Sequence, residues 1–187
     1  MYDQTAVFSQ RGHFQLISFH LVQKGPAFEP SLDMTIDCPT GHVTIAHENE
    51  RGEKKVEDEY MDLPADLANG LIPVLLKNLQ PDELPASLSL VAATPKPRLV
   101  KITVTVAGAE SFSFAGSTRK AAHYVLKVDI SGIAGLIAPL VGKQPPDSHV
   151  WILEGIAPAF LRSQAPMFMD GPIWQMDIVR PVWPGER

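Results

Sequence analysis

Apolar and polar residues alternate one by one in four separate stretches of this chain, and a period of two is what a strand with one buried face requires. Leu32, Met34 and Ile36 alternate with Asp33, Thr35 and Asp37. Val100, Ile102, Val104 and Val106 alternate with Lys101, Thr103 and Thr105. Tyr124, Leu126, Val128 and Ile130 alternate with His123, Val125, Lys127 and Asp129, and near the end Trp174, Met176 and Ile178 alternate with Gln175 and Asp177. One apolar and one mostly polar face per strand is the pattern of an antiparallel sheet wetted on one side.

Turn residues separate these runs. Lys24-Gly25-Pro26, Pro39-Thr40-Gly41, Arg51-Gly52, Ala107-Gly108, Gly116-Ser117 and Asp170-Gly171-Pro172 supply Gly or Pro where a strand must reverse. The 17 prolines stand at strand ends and turns and not inside the alternating runs, as strands demand. The acidic and basic residues from Glu48 to Glu59 read as a solvated hairpin.

One segment breaks the period of two. From Asp62 the chain reads as a helix, with Asp62 as a cap, Pro64 in the first turn and Asp66 near the positive end of the dipole. Leu67, Leu71, Leu75 and Leu79 recur every fourth residue and form one apolar stripe. Asn69-Gly70 places a kink in it, and Pro73 fits only early in a second short helix. The expected fold is therefore mainly β: a single curved antiparallel sheet, an incomplete or open β-barrel of meander type, with one or two short helices packed on it. No repeat or linker divides residues 1–187, which read as one β-rich domain.

Composition and motifs weigh against several functions. The net charge is -5, and the basic spots Lys96, Arg98 and Lys101 with Arg119 and Lys120 are short and interleaved with strand residues, so the broad positive face needed for nucleic acid is missing. The longest apolar run is about half of the ~20 residues that a membrane-spanning helix needs. The opening MYDQTAVFSQ has neither the basic nor the apolar region of a signal peptide. The single Cys38 excludes an intramolecular disulfide and a multi-cysteine metal site. His42 and His47, five apart on one strand, and His13 and His20, seven apart, are expected on opposite faces, so neither pair chelates. Asp147 and His149 would share a face, but Pro145-Pro146 puts Asp147 in a turn. Three convergent ligands are not in view, no metal is expected, and no phosphate-binding or dinucleotide glycine loop implies a cofactor. There is no Gly-x-Ser-x-Gly elbow, and Ser111, Ser113 and Ser117 have no marked partner.

Residues 133–155 hold the strongest apolar feature. Ile133–Val141 is apolar without a polar face, the bridge from Lys143 to Ser148 reads as a turn, and Val150, Trp151, Ile152 and Leu153 make a strand that is apolar on both faces. Such a strand must be covered on both sides. Leu136, Ile137 and Leu140 would close as a flap over an apolar ligand, or else be buried against the sheet.

The helix entry Asp62–Gly70, the strand Arg119–Lys127 and the turn-strand Pro145–Ile152 resemble, across about residues 55 to 183, uncharacterised bacterial envelope-associated families of the lipoprotein-carrier type. In those an incomplete β-barrel is plugged by short helices. The resemblance implies a periplasmic or cell-envelope setting and lipid handling, and it carries over no catalytic residue. The leading expectation is a non-catalytic binding protein that holds a lipid-like or other apolar small molecule among Leu67, Leu71, Leu75, Leu136, Ile137 and Leu140. The alternatives are a structural or protein-interaction module with a filled core, and a hydrolase whose site is assembled from distant residues.

Overall fold

The computed structural model describes residues 1–28, 30–49, 51–114, 117–129, 145–168 and 171–179. The chain is mainly β, and among the described residues its strands form antiparallel open sheets and no closed barrel. Its strands form two sheets where alternation alone suggested one. The period of two marks strands but carries no information on which strands pair.

The first sheet is a five-stranded meander: β1 (Tyr2–Arg11), β2 (His13–Gln23), β3 (Leu32–Asp37), β4 (His42–Glu48) and β5 (Lys54–Tyr60), side by side in chain order. The second has six strands: β6 (Ala86–Ala92), β7 (Arg98–Phe114), β8 (Ser117–Asp129), β9 (Ser148–Leu153), β10 (Ala159–Pro166) and β11 (Ile173–Asp177), again in chain order across the sheet. The described residues group into two compact units. One is built from Met1–Ile72 and Ser87–Ile102; the other contains Pro73–Ala86, Thr103–Lys127 and the strands from Ser148 onward.

In the first unit Leu32, Met34 and Ile36 of β3 and Val43 and Ile45 of β4 are buried, while Thr35 is exposed, so the alternation sorts as the sequence implies. Ile102 and Val104 are likewise buried with Lys101, Thr103 and Thr105 exposed. The pattern stops at Val106, which is 50% exposed. Ala107-Gly108 is not a turn: β7 runs straight through it to Phe114, with Gly108 taking φ 141° inside the strand. Turn chemistry does hold at Gly41, between β3 and β4. Its φ is 71°, and a Cβ there would lie 2.5 Å from the Met61 carbonyl oxygen, so only glycine fits.

β2 corrects the reading of His13 and His20. Val7 pairs with Ser18 but Phe8 pairs with Leu16, which leaves Ile17 as an extra residue, a β-bulge. The bulge reverses the parity of the strand, so Leu16 and Phe19 are buried together. The two histidines therefore share the outer face. Seven residues along a strand is still too far for common ligation.

The segment expected to open a helix at Asp62 does something else. Among the described residues helical structure is confined to α1 (Ile72–Leu76), with Pro73 as its second residue, followed by a 3-10 turn at Pro81–Glu83. Residues 66–69 instead lie along β6 as a strap. Leu67 bridges Ser89 in parallel, Ala68 N–H donates to Ser89 O at 2.8 Å, and Ser89 N–H donates to Asp66 O at 3.2 Å. Asn69 completes the strap with its side chain: Nδ2 donates to Val91 O and Oδ1 accepts from Val91 N, both at 2.9 Å. The amide thus stands in for a backbone unit where the chain turns away. It turns at Gly70, whose φ is 73° and whose added Cβ would lie 2.9 Å from Ala6 Cβ and 3.0 Å from the Phe19 ring.

Asn69 and Val91 are both buried, so removing the amide strands a donor and an acceptor away from water. Asn69→Ala should lower the unfolding free energy by about 2–4 kcal/mol. Asn69→Asp, which sets a buried carboxylate oxygen against the Val91 carbonyl oxygen, should lose at least as much at neutral pH. Urea unfolding of the three proteins measures this, and a change below roughly 0.5 kcal/mol for Asn69→Ala, within the ordinary scatter of surface substitutions, would refute the strap as a stabilising element.

Candidate polar site on the second sheet

β9 is the strand on which the second unit turns. Val150, Trp151, Ile152 and Leu153 are all buried, so a strand apolar on both faces is indeed covered on both. Its neighbours put a set of polar and aromatic side chains onto one of those faces. Trp151 is paired with His123 on β8 and with Arg162 on β10, and Arg162 is paired with Asp177 on β11. A second row runs Val125, His149, Gln164 and Gln175 through the same four strands. A bulge between Phe160 and Arg162 sets Arg162 into the row.

Cross-strand neighbours in such a row stack like pages. The His123 and Trp151 rings lie 4.3 Å apart and 12° from parallel. The Arg162 guanidinium carbon sits 5.9 Å from the Trp151 ring centre and 5.4 Å from that of Phe112, within cation-π range. Arg162 Nε is also bonded to Asp177 Oδ1, and Gln175 Nε2 donates to Asp177 Oδ2 at 2.6 Å. Both bonds favour the ionised carboxylate, and the Arg162 bond leads in holding the Asp177 pKa below its usual value. Beside this ladder lies an apolar cluster of Ala121, Leu153 and Leu161, with Phe112, Ala159 and Ile178 packed against it.

The two histidines form a chain. His123 Nδ1 is 3.0 Å from Glu110 Oε1, and His123 Nε2 is 2.9 Å from His149 Nδ1. A carboxylate only accepts, so His123 donates from Nδ1 and, when neutral, accepts at Nε2 from the His149 Nδ1 proton. That order leaves an acceptor lone pair on His149 Nε2. Both nitrogens of His123 are committed, and the two imidazoles point their shared edges at each other and not at a common ion. Among the described residues no three His, Cys, Asp or Glu side chains converge on a metal position.

Two of the buried polar atoms in this sheet are unsatisfied. The Trp151 indole Nε1–H and the Ser163 hydroxyl have no hydrogen-bond partner among the described residues. Ser163 follows Arg162 and so faces the other side of the sheet. Trp151, only 6% exposed, belongs to the ladder itself.

The residues singled out from the sequence lie elsewhere. Leu67 and Leu71 are 4% and 1% exposed and belong to the core of the first unit. Leu75 is half-buried on α1. Leu136, Ile137 and Leu140, with the whole apolar stretch Ile133–Val141, lie outside the described residues. Cys38 is half-buried, and burial leads in pushing its thiol pKa up, with the Asp37 charge adding to it, which makes it a poor nucleophile. The ladder was partly open to inspection: His149 and Trp151, two apart on one strand, must share a face.

His123 gives the ladder a pH signature. Burial lowers its pKa below the ordinary 6.5, the His149 charge lowers it further, and Glu110 opposes both without reversing them. Between the folded value and 6.5 the unfolded chain carries a proton that the folded chain refuses. The stabilisation is complete above about pH 6.5 and is lost as the pH falls through the folded value. Thermal midpoints measured from about pH 7 down to about pH 5 should therefore fall, and His123→Gln should flatten that decline. An equal slope in the variant would contradict the assignment.

Comparison with protein-family models, curated sequences and solved structures finds no match for this chain, so its site stands on its own chemistry.

Proposed function

We propose that the protein is a non-catalytic binding protein for a small molecule with an apolar, lipid-like body and one hydrogen-bond-accepting end. The observation that carries this reading is the Trp151 indole N–H, buried without an acceptor next to an apolar cluster. An unmet buried donor costs about 1–3 kcal/mol, and a ligand acceptor would recover it. Phe112, Ala159 and Ile178, only partly buried, supply the apolar flank. Arg162, spread between Asp177, Phe112 and Trp151, lies at the polar end with its charge balanced by Asp177.

Catalysis is not the better reading of the same residues. A general base needs a free lone pair beside a nucleophile or substrate; His123 spends both nitrogens on Glu110 and His149, and the lone pair left on His149 Nε2 has no Ser, Thr or Cys side chain bonded to it among the described residues. The lipid-handling role implied by the resemblance agrees with an apolar ligand and supports the choice of probe.

A fluorescent fatty acid with about ten methylenes tests the proposal. At about 0.8 kcal/mol per buried CH₂, saturable binding in the micromolar range is expected after the cost of association. Trp151→Phe keeps an aromatic ring and removes the N–H. It should weaken binding about fivefold or more, with a loss of stability from the smaller ring that is partly offset by removal of the unsatisfied donor. No saturable binding to the unaltered protein would overturn the ligand reading and leave a filled structural module. Binding that Trp151→Phe leaves intact would place the ligand away from this indole.

A further inference from the structure

Two open sheets have four edges, and three of them are guarded. β5 carries Lys54, Lys55, Glu57, Asp58 and Glu59 among its seven residues. β6 is covered by the strap from Asp66 to Asn69. β11 is only five residues long. Charge, covering and shortness are the usual protections of a sheet edge. β1 has none of them. It is ten residues long, exposed or half-exposed throughout, charged only at Asp3 and Arg11, and without a strand on its outer side among the described residues. The nearby bulge does not interrupt it, because the extra residue, Ile17, is on β2.

The hydrogen bonds fix which residues of β1 face outward. Met1 and Lys24 exchange bonds in both directions, N–H to carbonyl each way. Antiparallel pairing alternates from there, so Asp3, Thr5 and Val7 bond inward to β2. The N–H and C=O groups of Tyr2, Gln4, Ala6, Phe8 and Gln10 then point away from the sheet. An incoming antiparallel strand must pair with this even-numbered set.

We infer that the occupant is β1 of a second copy of this chain, antiparallel across a two-fold axis that passes through Val7. In that register Gln4 exchanges backbone bonds with Gln10, and Ala6 with Phe8, each using only outward groups. The odd-numbered residues fall opposite one another with their side chains close: Asp3 against Arg11, Thr5 against Ser9, and Val7 against its own copy. The charges of β1 are thus self-complementary, and each attractive pair occurs twice. Val7, 49% exposed, gains an apolar partner. Isologous pairing uses up both β1 edges and closes, and the charged β5 edge opposes further growth. The product is a continuous ten-stranded sheet made from two copies of the first sheet.

Sedimentation equilibrium on the intact protein is the first test, with a dimer expected at concentrations on the order of 0.1–1 mM, as suits a small interface. Arg11→Asp sets two acidic pairs face to face and should raise the dissociation constant about tenfold. Asp3→Arg combined with Arg11→Asp should restore it, which a merely damaged strand would not do. Val7→Cys should form a chain-to-chain disulfide on mild oxidation, released by reductant, whereas Thr5→Cys, placed opposite Ser9, should not. A protein that stays monomeric at about 1 mM, a dimer indifferent to Arg11→Asp, or failure of the double exchange to restore pairing would each overturn the inference. These results are independent of whether a fatty acid binds at Trp151.

Discussion

An open β-sheet leaves a row of backbone donors and acceptors along each edge, and this chain is organised by what becomes of those rows. The backbone groups cannot be buried unpaired without losing the equivalent of a hydrogen bond each. At β6 the problem is met within the chain. Residues 66–69 lie against the edge, and where the main chain must turn away the Asn69 amide takes over both bonds to Val91. The strap backbone at Asp66 and Ala68 lets Ser89 be buried at an edge of the sheet, and this one side chain does the same for Val91. It also explains why a segment with strong helical signals does not form a helix there. A helix over 62–70 would satisfy its own backbone and leave β6 bare.

The strands themselves were legible because burial of one face imposes a period of two. Met34, Ile36, Ile102, Val104, Tyr124 and Leu126 are buried where alternation puts them. The errors come from events that alternation does not encode. A bulge at Ile17 changes parity without any Gly or Pro to announce it. Gly108 looks like a turn because glycine permits positive φ, yet positive φ within a strand is compatible with continued pairing. The separation into two sheets was not legible for a similar reason. It depends on the long connection between β5 and β6, whose sequence favours helix locally, while the pairing decision rests on groups far apart in the chain.

The polar ladder was less legible still, since its members come from five strands. Glu110, His123, Trp151, Arg162 and Asp177 have no local spacing in common, and a single slip of register between any two strands would scatter them to opposite faces. Spacing alone could place together only pairs two apart on one strand, such as His149 with Trp151 and Gln175 with Asp177. The leucines at 67 and 71 illustrate the converse. Their four-residue interval suggested a helix face offered to a ligand, but the interval spans a bridge, a side-chain clasp and a left-handed glycine, and both side chains are spent on the core.

A buried row of polar groups costs more than an apolar one unless each is paired, and here most are. Glu110 meets His123, His123 meets His149, and Arg162 meets Asp177. The exception is the indole N–H of Trp151, held at the centre of the row between His123 and Arg162. Replacing Trp151 by Phe would remove the unmet donor but would also shrink the ring that stacks on His123 and packs in the apolar cluster. β9 is buried on both faces and flanked by strands on both sides, so the indole cannot easily turn to find an acceptor elsewhere. A donor fixed in place on a rigid strand, within an apolar cluster and beside an arginine, is the observation on which the proposed recognition of a ligand rests.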